Sequence, residues 1–452
     1  MELMVPTDSL YLFAESREHP MHVGALSLFA PPQGAGPDFV RNFTDALVAN
    51  DEIQPTFRKR PATGVAGIDL LAWAYDDEID VDYHVRRSTL PSQGRLGDLF
   101  ELTSRLHADM LDRQRPLWEA HVLDGLNDGR FGLYIKVHHS LIDGAAAAKL
   151  LERALSVDPF ETEVRAMWSL PQRRSTPKPR GSLLGSLTSI AGSVAGLPYS
   201  TLKLARGALL EQQLTLPFAA PRTMFNVKIA RARRFAAQSW PLDRVLRVKK
   251  AAGVSFNDTV LAMCSGALRY YLLEQNALPD TPLIALVPMN LRPAADAGSG
   301  GNKVGAILCN LATDVDDPAR RVEVISAAMR GNKDVLAELP RAQVVALSAM
   351  SIVPLGLADL PGFVSSTPPP FNLVISNVPG PAQQMYSGGA RLDGSYPLSH
   401  LTNGQALNMT FINNADNIDF GLVGCRRTVP RLGRLLAHLE SSLQDLERAF
   451  EV

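Results

Sequence analysis

Cysteine is nearly missing from this 452-residue chain, and the three present, Cys264, Cys309 and Cys425, are odd in number and far apart. They offer no CxxC pair and no zinc-type spacing, so they read as structural thiols of a protein in a reducing compartment. Charge of one sign is missing too. With 45 basic and 46 acidic residues the formal net charge is −1, which gives no field for a nucleic acid. There is no HExxH and no other cluster with ligand spacing, so no metal is expected. The start, MELMVPTDSLYLFAE, lacks a basic stretch followed by an apolar run, and the expectation is a cytoplasmic protein. One segment, Gly181 to Leu202, contains no charge at all. Its Leu183, Leu184, Leu187, Ile190, Ala191, Val194 and Leu197 form one helical stripe with Gly and Ser opposite. A membrane-spanning helix is apolar all round, so the stripe favours packing on a core or lying on a bilayer surface over crossing one.

What is there suits a folded, fairly apolar protein: 46% hydrophobic and 20% charged residues. The length favours two domains. Residues 1–156 form the first. Phe39, Val40, Phe43, Ala46 and Leu47 fall at helical spacing, as do Leu99, Leu102, Leu106 and Met110. Trp118–Leu126 and Arg130–His138 read as two strands around an Asn127-Asp128-Gly129 turn, with Phe131, Leu133, Ile135 and Val137 on one face. Residues 157–220 read as a linker: Pro159, Pro171, Pro177 and Pro179 stand among basic and Ser/Thr residues, followed by the striped helix. Residues 221–452 form a second α/β unit. It has two helices broken at Gly253, and strands near 282–289, 304–313, 371–376, 406–412 and 418–425. A last helix carries Val429, Leu432, Leu436, Leu439, Leu443 and Leu446 as a seam, for a zipper dimer or, more commonly, for its own sheet.

The chemistry concentrates in His138-His139-Ser140-Leu141-Ile142-Asp143-Gly144. Two histidines end a strand, and an aspartate stands four residues later at a helix start. Side chains at such a junction lie at an element edge, where clefts form. Continuing the strand parity, His139 shares a face with Val137 and Ile135, while His138 lies with Lys136, so the two imidazoles point apart. The residues alone leave three readings. A metal site lacks further ligands at recognisable spacing. Both rings are otherwise satisfied core groups, or one is a general base, for which neutral imidazole suits pH 7.

HHSLIDG resembles the HHxxxDG signature of the CoA-dependent acyltransferase superfamily, which includes chloramphenicol acetyltransferase, plant BAHD acyltransferases and peptide-synthetase condensation domains. Further segments resemble its bacterial wax ester synthase/diacylglycerol acyltransferase branch. They are Pro116-Leu117-Trp118, Asn257-Asp258 within FNDTVLA, VPMNLRP around Arg292, Gly301-Asn302, and Ser376-Asn377-Val378-Pro379-Gly380-Pro381. TDSLYLFAE and REHPMHVGAL are similar to mycobacterial triacylglycerol synthases. The similarity runs from about residue 6 to the final helix.

The resemblance implies an α/β fold of two similar chloramphenicol-acetyltransferase-like domains with a tunnel at their interface. It implies long-chain acyl-CoA as a substrate, no resident cofactor, and diacylglycerol or a fatty alcohol as acceptor. It implies contact with a membrane or lipid-droplet surface. His139 is then the general base and His138 its support. Asp143, Gly144 and Arg292 are structural, with Asp143 and Arg292 an ion pair. Asn257, Asp258, Ser376 and Asn377 are candidates for substrate contact. Two alternatives stand beside this reading: a catalytically silent lipid-binding or droplet-coating protein, and an acyl-CoA thioesterase. Read on their own chemistry, Trp118 is a core anchor and Asn257-Asp258 a helix cap. Arg231, Arg233, Arg234, Lys249 and Lys250 are either a phosphate site or a solvated basic face. Asp419-Phe420-Gly421 weakly resembles a structural DFG motif of the plant relatives.

Overall fold

The computed structural model describes residues 2–62, 72–171, 218–290, 304–338, 358 and 362–452. The striped segment Leu183–Leu197, Arg292 and Gly301-Asn302 lie outside the described residues.

In the first half the strands are β1 (Glu2–Leu3), β2 (His22–Ala30), β3 (Lys59–Pro61), β4 (Ala72–Tyr75), β5 (Val85–Gly94), β6 (Trp118–Leu126) and β7 (Phe131–His138). The helices there are α1 (Pro6–Ala14), α2 (Phe39–Val48), α3 (Val81–His84), α4 (Leu96–Ala108) and α5 (Gly144–Arg153). The second half has β8 (Arg233–Pro241), β9 (Ile284–Asn290), β10 (Val304–Asn310), β11 (Leu373–Val378), β12 (Tyr386–Ser387), β13 (Ala390–Leu398), β14 (Leu407–Asn414) and β15 (Asn417–Cys425). Its helices are α6 (Leu242–Ala252), α7 (Phe256–Glu274), α8 (Pro318–Glu338), α9 (Phe363–Ser366) and α10 (Arg434–Ala449).

The turn at Asn127-Asp128-Gly129 makes the expected hairpin, with Trp118 opposite Val137 and Leu123 opposite Gly132. Gly129 sits at φ +79°, a conformation that only glycine adopts without strain. Along β7, Phe131, Leu133, Ile135 and Val137 enter one apolar cluster with Trp118 and Trp168. The opposite face, carrying Tyr134, Lys136 and His138, is buried as well. Lys136 is satisfied there by the end of α4, where its ammonium donates to Leu106 O (3.1 Å) and Asp109 O (2.9 Å). A cation at a helix C-terminus also meets the negative end of the helix dipole.

Two six-stranded mixed sheets result, ordered β12-β13-β2-β7-β6-β5 and β10-β9-β11-β14-β15-β8, with a small β1-β4-β3 sheet beside them. In the second, α6 and α7 separate at Gly253 as the sequence suggests. Leu435, Leu439, Leu443 and Leu446 of α10 bury fully in the chain's own core, so the leucine seam is used within the chain.

Two expectations about chain division need correction. Residues 157–171 are no linker: Ala166, Met167 and Trp168 are buried, and Trp168 stacks on Trp118 at 4.7 Å. Pro159 and Pro171 are exposed and flank the packed stretch. And β13, although it lies within 221–452, pairs antiparallel with β2 from Gly24 to Ala30 and so belongs to the first sheet. The ranges 1–156 and 221–452 are chain segments; the sheets divide differently.

Candidate active site

His139 follows the last residue of β7. Its backbone N–H donates to Met21 O (2.9 Å), just before β2 begins, which pins the residue at the sheet edge. The Tyr11 ring of α1 stacks on the imidazole, centroids 4.3 Å apart and planes within 11°. His400 stands edge-on at 5.4 Å and 89°. The side chain is half-buried. Burial pushes the imidazole below its ordinary value, against an opposing hydrogen bond to its own backbone and the field of Asp143, with His138 adding to the depression. Nδ1 is the ring nitrogen able to reach the residue's own carbonyl, which leaves Nε2 as the nitrogen to turn toward a substrate. The result is an imidazole that is neutral at neutral pH.

His138 is fully buried and turned the other way. Its Nδ1 accepts from Ser140 N (3.2 Å) and from the Ser140 hydroxyl (2.6 Å). That places the ring proton on Nε2, which faces Glu15 Oε1 at 3.4 Å, an ion-pair distance too long for a good hydrogen bond. Glu15, at the end of α1, also accepts from Met21 N (3.0 Å) and from Arg113 Nε and Nη2 (3.1 and 3.0 Å). Desolvation alone would raise this carboxyl. His138, the Met21 amide and Arg113 together overcome it and hold the pKa below the usual value. Glu15 thereby ties α1, and with it Tyr11, to the segment that holds His139.

Asp143 is the N-cap of α5: its Oδ1 accepts from Ala146 N at 2.8 Å, and Gly144 is the first residue of the helix. The expected partner Arg292 lies outside the described residues. Half-buried Asp143 contributes to His139 through its field, which opposes the effect of burial.

The cap of α7 is Ser255, not Asn257. Ser255 Oγ accepts from Asp258 N (3.1 Å) while Asp258 Oδ2 accepts from Ser255 N (3.2 Å), a reciprocal capping box. Asp258 is buried and also accepts from Ser326 Oγ (3.3 Å), whereas Asn257 is half-buried in the first turn. Ser376 and Asn377 lie at the end of β11, in parallel register with Thr410 and Phe411 of β14. Of the basic candidates, Arg233 is buried and donates to the carbonyls of Ala230, Arg231 and Glu18, and Arg231 pairs with Asp109. Arg233 is committed to structure, against the phosphate-site reading. Among the described residues no group of three or more His, Cys, Asp or Glu is placed to hold a metal ion, and no helix is long and apolar enough to cross a membrane.

Three site residues were not singled out by sequence reasoning: Tyr11, Glu15 and His400. The first two lie in the opening TDSLYLFAE string; His400 is a solitary histidine 261 positions from His139.

Two six-stranded mixed sheets define a fold class that also includes condensation domains. The first condensation domain of the CDA synthetase superposes with a TM-score of 0.59 at 16% identity, over 99% of this chain and 96% of that one, a likeness of fold alone. The nearer matches are specific. Residues 4–260 match the profile of the wax ester synthase/diacylglycerol acyltransferase catalytic domain, and residues 300–447 that of the family's C-terminal domain. A Mycobacterium tuberculosis protein named probable diacylglycerol O-acyltransferase is 68% identical over 99% of both chains. The wax ester synthase/diacylglycerol acyltransferase from Marinobacter aquaeolei VT8 superposes with a TM-score of 0.78 at 36% identity over the whole of both chains. The chain belongs to the wax ester synthase/diacylglycerol acyltransferase family and is an acyltransferase.

Proposed function

We propose that the protein moves a fatty acyl group from acyl-CoA to the free hydroxyl of diacylglycerol, and to long-chain alcohols, with His139 as general base. The observation that carries this reading is the place of His139: a half-buried imidazole, neutral at neutral pH, stacked on Tyr11 at the edge of a sheet. Nε2 of His139 takes the hydroxyl proton as the oxygen attacks the thioester carbon. The tetrahedral intermediate then collapses, the C–S bond breaks, and the same nitrogen returns the proton to the leaving thiolate. One proton carrier serves both steps, so no acyl-enzyme forms and no cysteine is needed; Cys264 and Cys309 are buried thiols held protonated far above neutral pH. As written, the reaction needs no metal and no resident cofactor, acyl-CoA being consumed as a substrate.

His138 is the support, through Ser140 and Glu15, and Asp143 with Gly144 shapes the turn into α5. Asn257, Asp258, Ser376 and Asn377 remain the proposed substrate-side positions. The acceptor and product are insoluble in water, so the protein works at a membrane or droplet surface on the cytoplasmic side.

The test is coenzyme A release together with lipid product, with and without diacylglycerol. Acceptor-dependent release that vanishes in His139→Gln, a loss of about 10²–10⁴ from the general base alone, supports the reading. Release without acceptor marks a thioesterase, and no release a silent lipid-binding protein. In the wild type kcat/KM should fall in acid with a midpoint below 6.5, because burial depresses the imidazole.

A further inference from the structure

His400 follows β13, the strand that crosses from the second half of the chain into the first sheet. The centroids of Tyr11, His139 and His400 form a triangle of 4.3, 5.4 and 6.3 Å, so His400 stands beside the Tyr11–His139 stack and not on top of it. It therefore borders an edge of the His139 ring and does not cover the face opposite Tyr11.

The loop that presents it is held from both halves. His107 Nε2 donates to Ser399 O (3.2 Å), and His107 Nδ1 accepts from the Tyr134 hydroxyl of β7 (2.8 Å). His22 Nε2 donates to His107 O (2.9 Å). From the other side, the Ser399 hydroxyl meets Thr410 Oγ1 (3.0 Å), which donates to Asn408 Oδ1 (2.7 Å) on β14. The His107 and Thr410 bonds both fall on Ser399, and with Leu401 buried on the other side they hold His400 in the narrow geometry that a reaction centre requires.

Against that support, His400 itself makes no hydrogen bond among the described residues. Its Nδ1 is enclosed and bare, while Nε2 is not so enclosed. An enclosed N–H without an acceptor is the rarer arrangement, so the proton belongs on Nε2. Burial, then the neighbouring histidines and Arg233, push this imidazole down to about 3, which keeps it uncharged and unable to compete for the proton that His139 takes.

We propose that His400 is a second catalytic imidazole: its Nε2–H donates to the carbonyl oxygen of the acyl thioester as that oxygen becomes negative in the tetrahedral intermediate. The electron pair displaced from the C=O bond rests on this oxygen while the new C–O bond forms. It returns when the C–S bond breaks, and His400 neither gains nor loses a proton. A fixed neutral donor aimed at developing charge is the usual source of oxyanion stabilisation. The attacking oxygen and the carbonyl oxygen sit on one carbon, and two perpendicular rings with centroids 5.4 Å apart are close enough to serve both. The assignment rests on the acyl-transfer reading above.

The experiment compares wild type, His400→Leu, His400→Gln and His139→Gln in the acceptor-dependent assay across pH, with thermal melting of each. His400→Leu removes the donor at similar size and should lower kcat by about 10²–10³, with KM for acyl-CoA and the acid midpoint of the pH profile unmoved. His400→Gln restores an N–H and should recover at least about tenfold of that loss, as expected for a donor whose hydrogen bond rather than shape matters. Three results would overturn the proposal. One is a His400→Leu protein whose kcat stays within about threefold of wild type, well short of a lost oxyanion donor. Another is equal loss of activity in the two variants, with or without a drop in melting temperature, which marks a packing role. The third is a shifted acid midpoint, which marks a residue that tunes His139. An active His139→Gln, by contrast, rejects the general-base reading and leaves the His400 comparison to be read from its own variants.

Discussion

Glu15 is the residue whose removal should be felt furthest from where it stands. It is buried at the end of α1 and accepts from Met21 N, from two Arg113 nitrogens and, at longer range, faces His138. Replacement by alanine leaves the Met21 amide without its acceptor, a loss of about 1–3 kcal/mol. It also strands Arg113. Breaking a fully buried pair costs about 3–5 kcal/mol, but the Arg113 side chain is 31% exposed and rehydrates in part. The combined loss should therefore fall near the lower bound, about 3 kcal/mol. Glu15→Gln keeps an acceptor for Met21 and should cost about half as much. The effect on catalysis follows from Met21 O, which holds the His139 backbone. Once that strap loosens, kcat should fall by about tenfold or more, as for any displaced catalytic group. Urea unfolding and kcat, each at pH 7 and in acid, check both. The Glu15 carboxyl is depressed below its ordinary 4.5, so its stabilisation is present above that pH and is lost as pH falls through the lowered value. The gap between wild type and Glu15→Gln should be full at pH 7 and close in acid. A Glu15→Ala protein within about 1 kcal/mol of wild type, with normal kcat, would refute the whole chain of reasoning.

Asp143→Ala should cost only about 1 kcal/mol, the worth of an N-cap, in chemical denaturation; a loss above about 3 kcal/mol would instead mark a buried ion pair. Tyr11→Phe should retain kcat because the stacked ring persists, while Tyr11→Ala should lower it, with the two compared by steady-state assay. Asp419 is buried with its carboxyl pushed up to about 6 by desolvation, so the stability tied to its protonated form is present near pH 4 and lost as pH rises through 6. The unfolding free energy of Asp419→Asn relative to wild type should therefore improve by about 2–3 kcal/mol between pH 4 and pH 7. Gly421→Ala should unfold easily or fail to accumulate, since a Cβ there would lie 1.9 Å from Pro397 O, where β13 passes over β15.

Local chemistry made much of this fold legible. The Asn127-Asp128-Gly129 turn specifies its hairpin, Gly253 parts α6 from α7, and the apolar strands β9, β10, β11, β14 and β15 stand where their hydrophobic runs fall. What depends on distant partners was not legible. β13 reads ARLDGSYPL, with Gly, Ser, Asp and Pro breaking the alternation that marks a strand; its identity comes from β2, far away in sequence. β8 opens with two arginines and reads as a basic surface, yet Arg233 is enclosed because backbone carbonyls from three residues surround its guanidinium. Trp168 was hidden among prolines. At the site, HHSLIDG announces the histidines, but Tyr11, Glu15 and His400 are ordinary residues brought there by packing, and no spacing connects them.

The placement of β13 bears on how this protein is made. In the finished molecule β2 is an inner strand, flanked by β7 and β13. During synthesis roughly 360 residues separate the end of β2 from the start of β13. At about 5–20 residues per second, the exposed side of β2 waits for about 20–70 s. Through that interval a nascent chain carries an open, apolar sheet edge, the feature most prone to pair with another copy. Slowed elongation beyond residue 30, or truncation before residue 390, should therefore yield aggregates seeded by the first sheet, and a chaperone that shields a strand edge should raise the yield of full-length protein. The late strand is a closing clasp, and until it arrives the amino-terminal half is a hazard to its neighbours.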